Sequence, residues 1–357
     1  MLIYFLLTVF ILLLAFLSTT NVDRKAVTIC YILTWIAIFF IIAFRDYSVG
    51  SDTRTYISIF LKSPKLVVNW SEFWTSRFEL GFLIYNKWLY QFSQHWSTAL
   101  IGYALPTVII NAYILHKKSV NPFFSTFIFV TYRYLGYSLS SIRPMMAMSL
   151  LFLGYYLFEN KHKLFGSLAL VIALTFHLAA IPFIILLLFR NIRLSKKLMA
   201  TCSLVSIFLF LLIENIFRGL LDVFEKYTYY ENSVLQDSAK LGSLLNFLVL
   251  FLIFLFGEWI RFVNDEKNEV DSLRTLCFFG LVIAFAGIKI TVFDRILGTF
   301  AILSLLYLPY VLSKIKSNDW RIISYLIVTI GFCLYFFIIL IFRPEWNYIV
   351  PYQNILF

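Results

Sequence analysis

The chain is poor in charge and in cysteine. Of its 357 residues, 14% are charged and four are cysteines, none of them in CxxC spacing. Soluble globular domains carry about 25% charged residues. The composition therefore excludes a soluble cytosolic enzyme, a disordered chain and a disulfide-rich secreted scaffold. All four cysteines fall inside apolar segments, which predicts small core residues: Cys30, Cys202, Cys277 and Cys333.

Sequence motifs for nucleotide or metal chemistry are also absent. The chain contains no P-loop, no GxGxxG, no HExxH and no cluster of cysteine and histidine at metal-ligand spacing. Asp46 and Asp52 lie six residues apart around Gly50, and an isolated pair of this kind is a weak metal signal. We therefore expect no cofactor and no metal, and the energy for any reaction must come from the substrate or from a gradient.

Long apolar runs dominate what is present. Hydrophobic residues make up 61% of the chain, and the runs are continuous rather than alternating. This pattern predicts an all-α fold, a polytopic transmembrane helical bundle of about 10–12 spans forming one membrane domain over residues 1–357. The run at 2–19 lacks a basic n-region and a cleavage site, so we interpret it as a true span. The predicted spans are 2–19, 26–44, 97–115, 121–139, 144–158, 197–213, 243–260, 275–293, 296–312 and 322–342.

The basic residues predict the orientation. The net charge is +11, but the lysines and arginines lie mostly in short loops, which favours a membrane protein over a nucleic-acid binder. The predicted inner loops hold 16 lysines and arginines in 42 residues; they are 21–25, 117–118, 159–163, 190–197, 261–274 and 314–321. The predicted outer segments, 45–79, 214–242 and 343–357, hold 9 in 79 residues. The bias predicts both termini outside, residues 190–197 in the cytoplasm, and external loops at 45–79 and 214–242.

Two apolar segments have unsuitable lengths for a single span. Residues 80–94 are short and contain Lys87, so we expect an interfacial or re-entrant helix there. Residues 164–189 are too long for one ordinary span and lie between two segments predicted to be inside. The sequence therefore predicts a helix pair that enters and returns, hinged near His177.

Charged residues collect near the outer ends of the predicted spans. Intramembrane charge is costly, so such residues are a guide to function. Several arginines at one depth suit a phosphate or pyrophosphate, which a guanidinium binds through two parallel hydrogen bonds. The alternative is that each basic side chain simply reaches the lipid headgroups. The candidate pyrophosphate-binding residues are Arg45, Arg133, Arg143, Lys289 and Arg295.

His177 is an isolated histidine in an apolar stretch. It fits either a structural role or a proton-transfer role, since its unperturbed pKa of about 6.5 suits a base or a donor. Sequence alone leaves both alternatives open.

Five short motifs follow one another along the chain: FRDYSVGSDT at 44–53, SIRPMMA at 141–147, FHLAA at 176–180, FDRI at 293–296 and VPY at 350–352. Together they resemble the motifs of the Wzy-like, EpsG-type polysaccharide polymerases. The resemblance runs from about residue 30 to the C-terminus, and it departs from the family at Pro144 and at Leu80.

The resemblance implies a polymerase in the bacterial inner membrane, with its active site facing the periplasm or exterior. Such an enzyme joins undecaprenyl-pyrophosphate-linked repeat units into O-antigen, capsule or exopolysaccharide, without a nucleotide sugar or metal. Its expected partners are these glycans and membrane lipid, with a chain-length regulator and a flippase as candidate protein partners and no nucleic acid. The attacking hydroxyl then needs a general base, and the candidates are His177, Asp46, Asp52 and Glu79.

The tyrosines of the second external loop are candidates for stacking against sugar rings, although an interfacial aromatic belt explains them equally well. These are Tyr227, Tyr229 and Tyr230.

Other functions remain open at this point. A lipid-linked oligosaccharide flippase would also have many spans and a cationic cavity, but it would place charge along a path and often show repeated halves. An O-antigen ligase would use the same donor with a lipopolysaccharide acceptor. A membrane acyltransferase fits less well, because His177 has no acidic residue at a short fixed spacing.

Overall fold

A computed structural model describes residues 1–18, 23–66, 78–223, 237–265, 271–286, 288–290 and 293–355. The structure is 81% helical, and the described residues contain no β-strand. The predicted all-α bundle is therefore confirmed. The described α-helices are α1 Leu2–Leu17, α2 Arg24–Ala43, α3 Thr53–Lys62, α4 Leu80–Phe92, α5 Ser97–Lys118, α6 Pro122–Thr131, α7 Tyr134–Ser140, α8 Ile142–Glu159, α9 Lys163–Phe176, α10 Ile181–Leu187, α11 Lys196–Val223, α12 Asp237–Val263, α13 Ser272–Ala286, α14 Phe293–Ala301, α15 Ser304–Ser313 and α16 Asn318–Phe342.

Several helices are long and apolar enough to cross a membrane. In the described part of the chain five qualify by length and composition, namely α2, α5, α11, α12 and α16, and the bent pair of α14 and α15 would be a sixth. Only 11% of the most apolar part of α11 and 17% of that of α16 is buried inside the protein. Apolar surface of this extent requires lipid around it. The chain is a multi-pass membrane protein.

The centre of the bundle is formed by helices that are buried on all sides. Every residue of α6 from Phe123 to Thr131 is buried, as is nearly all of α8 from Ile142 to Phe152. Helix α6 packs against α1 and α15, and α8 packs against α5 and α9. Such helices are apolar around their whole circumference because no face meets water. Of the four cysteines, which are all free, Cys277 is fully buried.

Three of the predicted spans are interrupted. The predicted span 121–139 divides at Tyr132 and Arg133 into α6 and α7. Helix α13 ends at Ala286, so the predicted span 275–293 stops early and leaves Lys289 outside a helix. Helices α14 and α15, predicted as one span, are bent by 43°. Hydropathy detects the apolar run but not the backbone path, and breaks are tolerated where protein or a cavity surrounds them.

The two segments of unsuitable length form short helices. Helix α4 has 13 residues, which span about 20 Å and fall short of a hydrocarbon core of about 30 Å. Helix α9 ends at Phe176, His177 is extended (φ −160°, ψ 125°), and a 3₁₀ turn at Leu178–Ala180 leads into α10. The hinge at His177 is confirmed, whereas the return of the chain to the same membrane side stays a prediction.

Both predicted external loops contain helix. Helix α3 lies inside the first loop and buries Thr53, Tyr56, Ile57 and Phe60 at helical spacing. In the second, α11 continues to Val223 and α12 begins at Asp237. The apolar residues of a helix mark the part that faces lipid, and the helix itself can extend beyond that part. Helices α11 and α12 therefore extend into the segment 214–242, whose external placement stays a prediction.

The loops predicted to share the inner side contact one another. Arg190 pairs with Glu159 at 3.1 Å, and Arg274 Nη1 donates to Leu194 O at 3.4 Å. Asn264 Nδ2 donates to Lys314 O at 3.0 Å. These contacts gather four of the predicted inner loops at one end of the bundle. Which side of the membrane that end faces stays a prediction.

Candidate functional site

The start of the first loop is hydrogen-bonded to the C-terminal tail. Gly50 makes this path possible: its φ is +100°, and a Cβ there would lie 2.0 Å from Leu139 O. The pairing brings two motifs from opposite ends of the sequence together. The backbone hydrogen bonds run from Asp46 N to Gln353 O (2.9 Å), Gly50 N to Tyr348 O (2.8 Å), Ser51 N to Asn347 O (3.0 Å) and Ile355 N to Phe44 O (3.0 Å).

Arg45 and Asp46 are structural parts of this pairing. Arg45 is completely buried, and its Nη1 donates to Ile42 O. Asp46 Oδ1 accepts the Ser48 N–H at 2.8 Å, which closes a local turn. Neither residue lines the cavity described next. Their predicted roles in pyrophosphate binding and proton transfer stay predictions.

A cavity of about 490 Å³ opens beside the paired loop and tail. Its volume lies within the range of small-molecule sites. The wall comes from α6, α7, α12, α14 and α16, from the start of α3 and α8, and from the segment after α16. Its charged and polar side chains include Asp52, Arg133, Ser141, Asn246, Asp294, Arg295 and Glu345.

Three helix N-termini meet at this cavity. Asp52 is the N-cap of α3, Ser141 is the N-cap of α8, and Asp294 lies in the first turn of α14. A helix N-terminus carries a partial positive charge of about half a unit and binds anions. Together with the Arg133 and Arg295 charges, the three termini offset the carboxylates on the wall, so the cavity can accept an anion despite them.

Arg133 is held at the helix break by a network that spans three distant parts of the chain. Its Nη2 donates to Asp294 Oδ2 at 2.6 Å, and the Tyr137 hydroxyl donates to the same oxygen at 2.8 Å. Asn246 Nδ2 donates to Asp294 Oδ1 at 3.0 Å, and the Tyr335 hydroxyl donates to Asn246 Oδ1 at 2.6 Å. Asp294 thus fixes one edge of the guanidinium.

Two nitrogens of the Arg133 guanidinium have no hydrogen-bond partner in the described part of the chain. The residue is 8% exposed, and its buried Nε and Nη1 donate to no neighbour, although the guanidinium lies 4.8 Å from the centroid of the Tyr137 ring. Buried donors are nearly always paired, so two unpaired ones on a residue that lines the cavity make Arg133 a candidate anion ligand. Nε and Nη1 do not share an edge of the guanidinium, so they are two separate donors beside the positive charge.

A second buried cluster joins Glu79, Arg143 and His177. Arg143 Nη1 donates to Glu79 Oε2, while His177 Nδ1 and the Leu178 N–H lie 3.2 Å from Oε1. Burial raises the pKa of the Glu79 carboxyl, but the Arg143 charge and the His177 contact outweigh burial and bring that pKa to about 2. Glu79, which precedes α4, therefore stays ionised and is a poor proton acceptor.

His177 keeps one ring nitrogen unpaired. Its Nδ1 contacts Glu79, and its buried Nε2 has no hydrogen-bond partner among the described residues. An ionised Glu79 favours the tautomer with the proton on Nδ1, which leaves Nε2 as an acceptor. The cluster ties the start of α4, the start of α8 and the hinge into one unit.

Arg295 lies between the two clusters. It lines the cavity, and its charge acts on both Tyr137 and His177. The 3₁₀ turn after His177 packs against α14, which carries Arg295. The hinge cluster is therefore next to the cavity wall rather than remote from it.

The family model named EpsG family matches residues 28–354, nearly the whole chain. The chain belongs to the EpsG family. Comparisons with curated proteins and with solved structures gave no match. Membership indicates a polysaccharide polymerase, and it confirms the resemblance seen in the five motifs. The matched range contains every cavity residue named above.

The EpsG-family cavity contains some of the residues predicted from sequence and not others. Asp52, Arg133 and Arg295 line it, whereas Arg143, Glu79 and His177 form the neighbouring cluster. Lys289 is not on the wall, and its Nζ lies 4.6 Å from the centroid of the Phe210 ring. The predicted sugar-binding Tyr227, Tyr229 and Tyr230 lie outside the described residues.

Sequence reasoning missed the partners of Arg133. Asp294 precedes Arg295 in the FDRI motif, but its role depends on its contact with Arg133, which lies 161 positions away in the sequence. Asn246 is a lone amide in an apolar run, and Tyr137 follows Arg133 by one helical turn. Both patterns could have marked these residues as candidates for the site. Trp346, which also lines the cavity, had no such signal in the sequence, because an aromatic residue after a span is ordinary in membrane proteins.

Proposed function

We propose that the protein is a membrane glycosyltransferase that polymerises oligosaccharide repeat units linked to undecaprenyl pyrophosphate into a bacterial surface polysaccharide. The observation that carries the proposal is the Arg133 guanidinium, which lines the cavity, pairs with Asp294 and keeps two buried nitrogens without a hydrogen-bond partner among the described residues. Membership of the EpsG family supports the reaction class.

The proposed reaction is one displacement. A hydroxyl of the acceptor sugar attacks the anomeric carbon of the donor glycan, the new glycosidic bond forms, and the bond from that carbon to the pyrophosphate oxygen breaks. The hydroxyl proton passes to a base, and undecaprenyl pyrophosphate leaves. Negative charge develops on the leaving oxygen, and preorganised donors at that position accelerate the reaction.

We assign the leaving-group role to Arg133, Arg295 and the N-terminus of α14. Arg133 supplies Nε and Nη1 in a fixed plane, and Arg295 adds charge from the first turn of the same helix that carries Asp294. The α14 N-terminus adds a positive dipole at the same place. Together these groups provide the charge stabilisation that a bound cation would otherwise supply.

Asp52 is the best-placed base. It lines the cavity and does not cap α3 through its side chain, and its Oδ2 accepts the Ser141 hydroxyl at 3.2 Å. Glu79 is already engaged by Arg143 and His177, and Asp46 closes a turn. His177 has an unpaired Nε2 beside Arg295, so it is the second candidate.

Protein reconstituted in vesicles with lipid-linked repeat units tests this function. We expect a ladder of glycans that lengthen by one repeat at a time, and an Arg133→Lys protein prepared in parallel controls for contaminating activity. Transfer only to added lipopolysaccharide would indicate a ligase instead. Movement of the lipid-linked units between leaflets without lengthening would indicate a flippase.

A further inference from the structure

The cavity has a second wall that the pyrophosphate chemistry does not use. Beyond α16 the chain makes a 3₁₀ turn at Pro344–Trp346, and residues 345–349 then line the cavity. Glu345, Trp346, Asn347 and Tyr348 supply a carboxylate, an indole, an amide and a phenol. None of these groups carries positive charge, so this wall suits a different part of the substrate from the arginines.

Trp346 carries the main observation. Its indole Nε1 is buried and has no hydrogen-bond partner among the described residues. A buried N–H without a partner costs free energy unless water or a ligand accepts from it. The Arg343 guanidinium lies 6.0 Å from the centroid of the ring on one side, so the stacking surface is the opposite, apolar face with its polar edge. A sugar ring has apolar C–H faces and peripheral hydroxyls, and it matches both properties.

Asn347 supplies directional polar groups beside the indole. Its Oδ1 accepts from the Ser140 hydroxyl at 3.4 Å, which orients the amide. Its Nδ2 lies close to Gly136, where a Cβ would be 3.3 Å from that nitrogen. Both Asn347 and Gly136 line the cavity. The amide is therefore a fixed hydrogen-bonding group of the kind that hydroxyl recognition requires.

This wall is held rigidly and joined to the proposed base. Gly50 N–H and Ser51 N–H donate to Tyr348 O and Asn347 O, at 2.8 and 3.0 Å. The Tyr4 hydroxyl donates to the next carbonyl, Ile349 O, at 2.7 Å. Ser51 is followed directly by Asp52. A sugar held on this segment therefore lies beside the carboxylate that would take its proton.

We propose that residues 345–348 form the carbohydrate-binding subsite for the acceptor, with Trp346 as the stacking platform and Asn347 as a hydroxyl ligand. The proposal rests on the proposed function, because only a glycan acceptor needs such a subsite beside the pyrophosphate site. It places the acceptor sugar and the donor pyrophosphate on different walls of one cavity.

Binding without turnover tests the subsite. The two probes are the water-soluble oligosaccharide released from the lipid-linked repeat by mild acid, followed by saturation-transfer NMR, and undecaprenyl pyrophosphate alone in vesicles. We expect Trp346→Ala to weaken oligosaccharide binding about tenfold, or ~1.4 kcal/mol, and to leave undecaprenyl pyrophosphate binding unchanged. Trp346→Phe keeps a ring and should show a smaller loss.

The matched control is Trp320→Ala, which removes a tryptophan that is 65% exposed at the opposite end of α16. Unchanged oligosaccharide affinity in both Trp346→Ala and Asn347→Ala would overturn the subsite. If Trp346→Ala also loses undecaprenyl pyrophosphate binding, that variant is structurally damaged and Asn347→Ala decides: normal oligosaccharide affinity in Asn347→Ala then overturns the subsite. Failure of the wild-type protein to lengthen any glycan would instead count against the proposed function.

Discussion

Replacement of Arg133 by lysine is the sharpest perturbation that the structure offers. An ammonium can keep the ion pair with Asp294, because that pair needs one donor at the position of Nη2, where the distance is now 2.6 Å. It cannot supply the Nε and Nη1 donors, which have no hydrogen-bond partner among the described residues. Loss of one preorganised donor to a developing negative charge costs about 2.7–4 kcal/mol, or 10²–10³-fold in kcat.

The assay for Arg133→Lys is the initial rate of ladder formation at equal amounts of folded, membrane-inserted protein. Arg274→Lys is the matched control. Arg274 is equally buried, 8% exposed, and pairs with Glu258 through Nη2 and Oε2 at 2.7 Å, but it lies among the predicted inner loops and not on the cavity. We expect the control to keep kcat within about threefold, below ~0.7 kcal/mol. A wild-type rate in Arg133→Lys, or an equal loss in both variants, would refute the assignment of Arg133 to the leaving group.

Four further predictions use the same preparations. Impermeant cysteine labelling of intact cells should modify residues 45–66 and spare 190–197, because basic loops stay inside; the reverse pattern would place the cavity on the cytoplasmic side. Asp52→Asn should lower kcat by about 10²–10⁴-fold while leaving undecaprenyl pyrophosphate binding unchanged, and a normal rate would remove Asp52 as the base. His177→Gln preserves a hydrogen bond to Glu79 and should keep kcat within about tenfold; a loss of 10²-fold or more with donor binding retained would transfer the base role to His177. Polymer synthesis should survive EDTA, and loss of activity restored by a divalent cation would require a metal in the reaction.

The division of roles between two clusters predicts that arginines at similar predicted depth respond differently to replacement. Arg143 is engaged by Glu79 and lies over the rings of Phe78 and Phe82, at 5.1 and 5.7 Å. Removal of one partner from a buried pair costs about 3–5 kcal/mol. Variants at Arg143 should therefore lower protein level and activity together. Arg133 variants that keep the Asp294 pair should affect activity alone.

The sequence alone determined the class of this protein and several of its important residues. Continuous apolar runs require helices, because lipid offers backbone groups no partner, and this holds whatever the tertiary packing. A helix pair interrupted at His177 follows from the length of its apolar stretch. Asp52, Arg133 and Arg295 were also identifiable, since charge near a span is too costly to be kept without a use.

Only the tertiary structure decided which charges share a site. Arg133 meets Asp294 across 161 positions and Glu79 meets His177 across 98, and no local pattern encodes such pairings. It also buried Arg45 against its own helix and used Asp46 in a turn, although their sequence context resembled that of the cavity residues. The C-terminal tail gained its place on the cavity wall through hydrogen bonds to the first loop. Hydropathy is a property of neighbours in sequence, whereas ion pairs and cavities arise from neighbours in space.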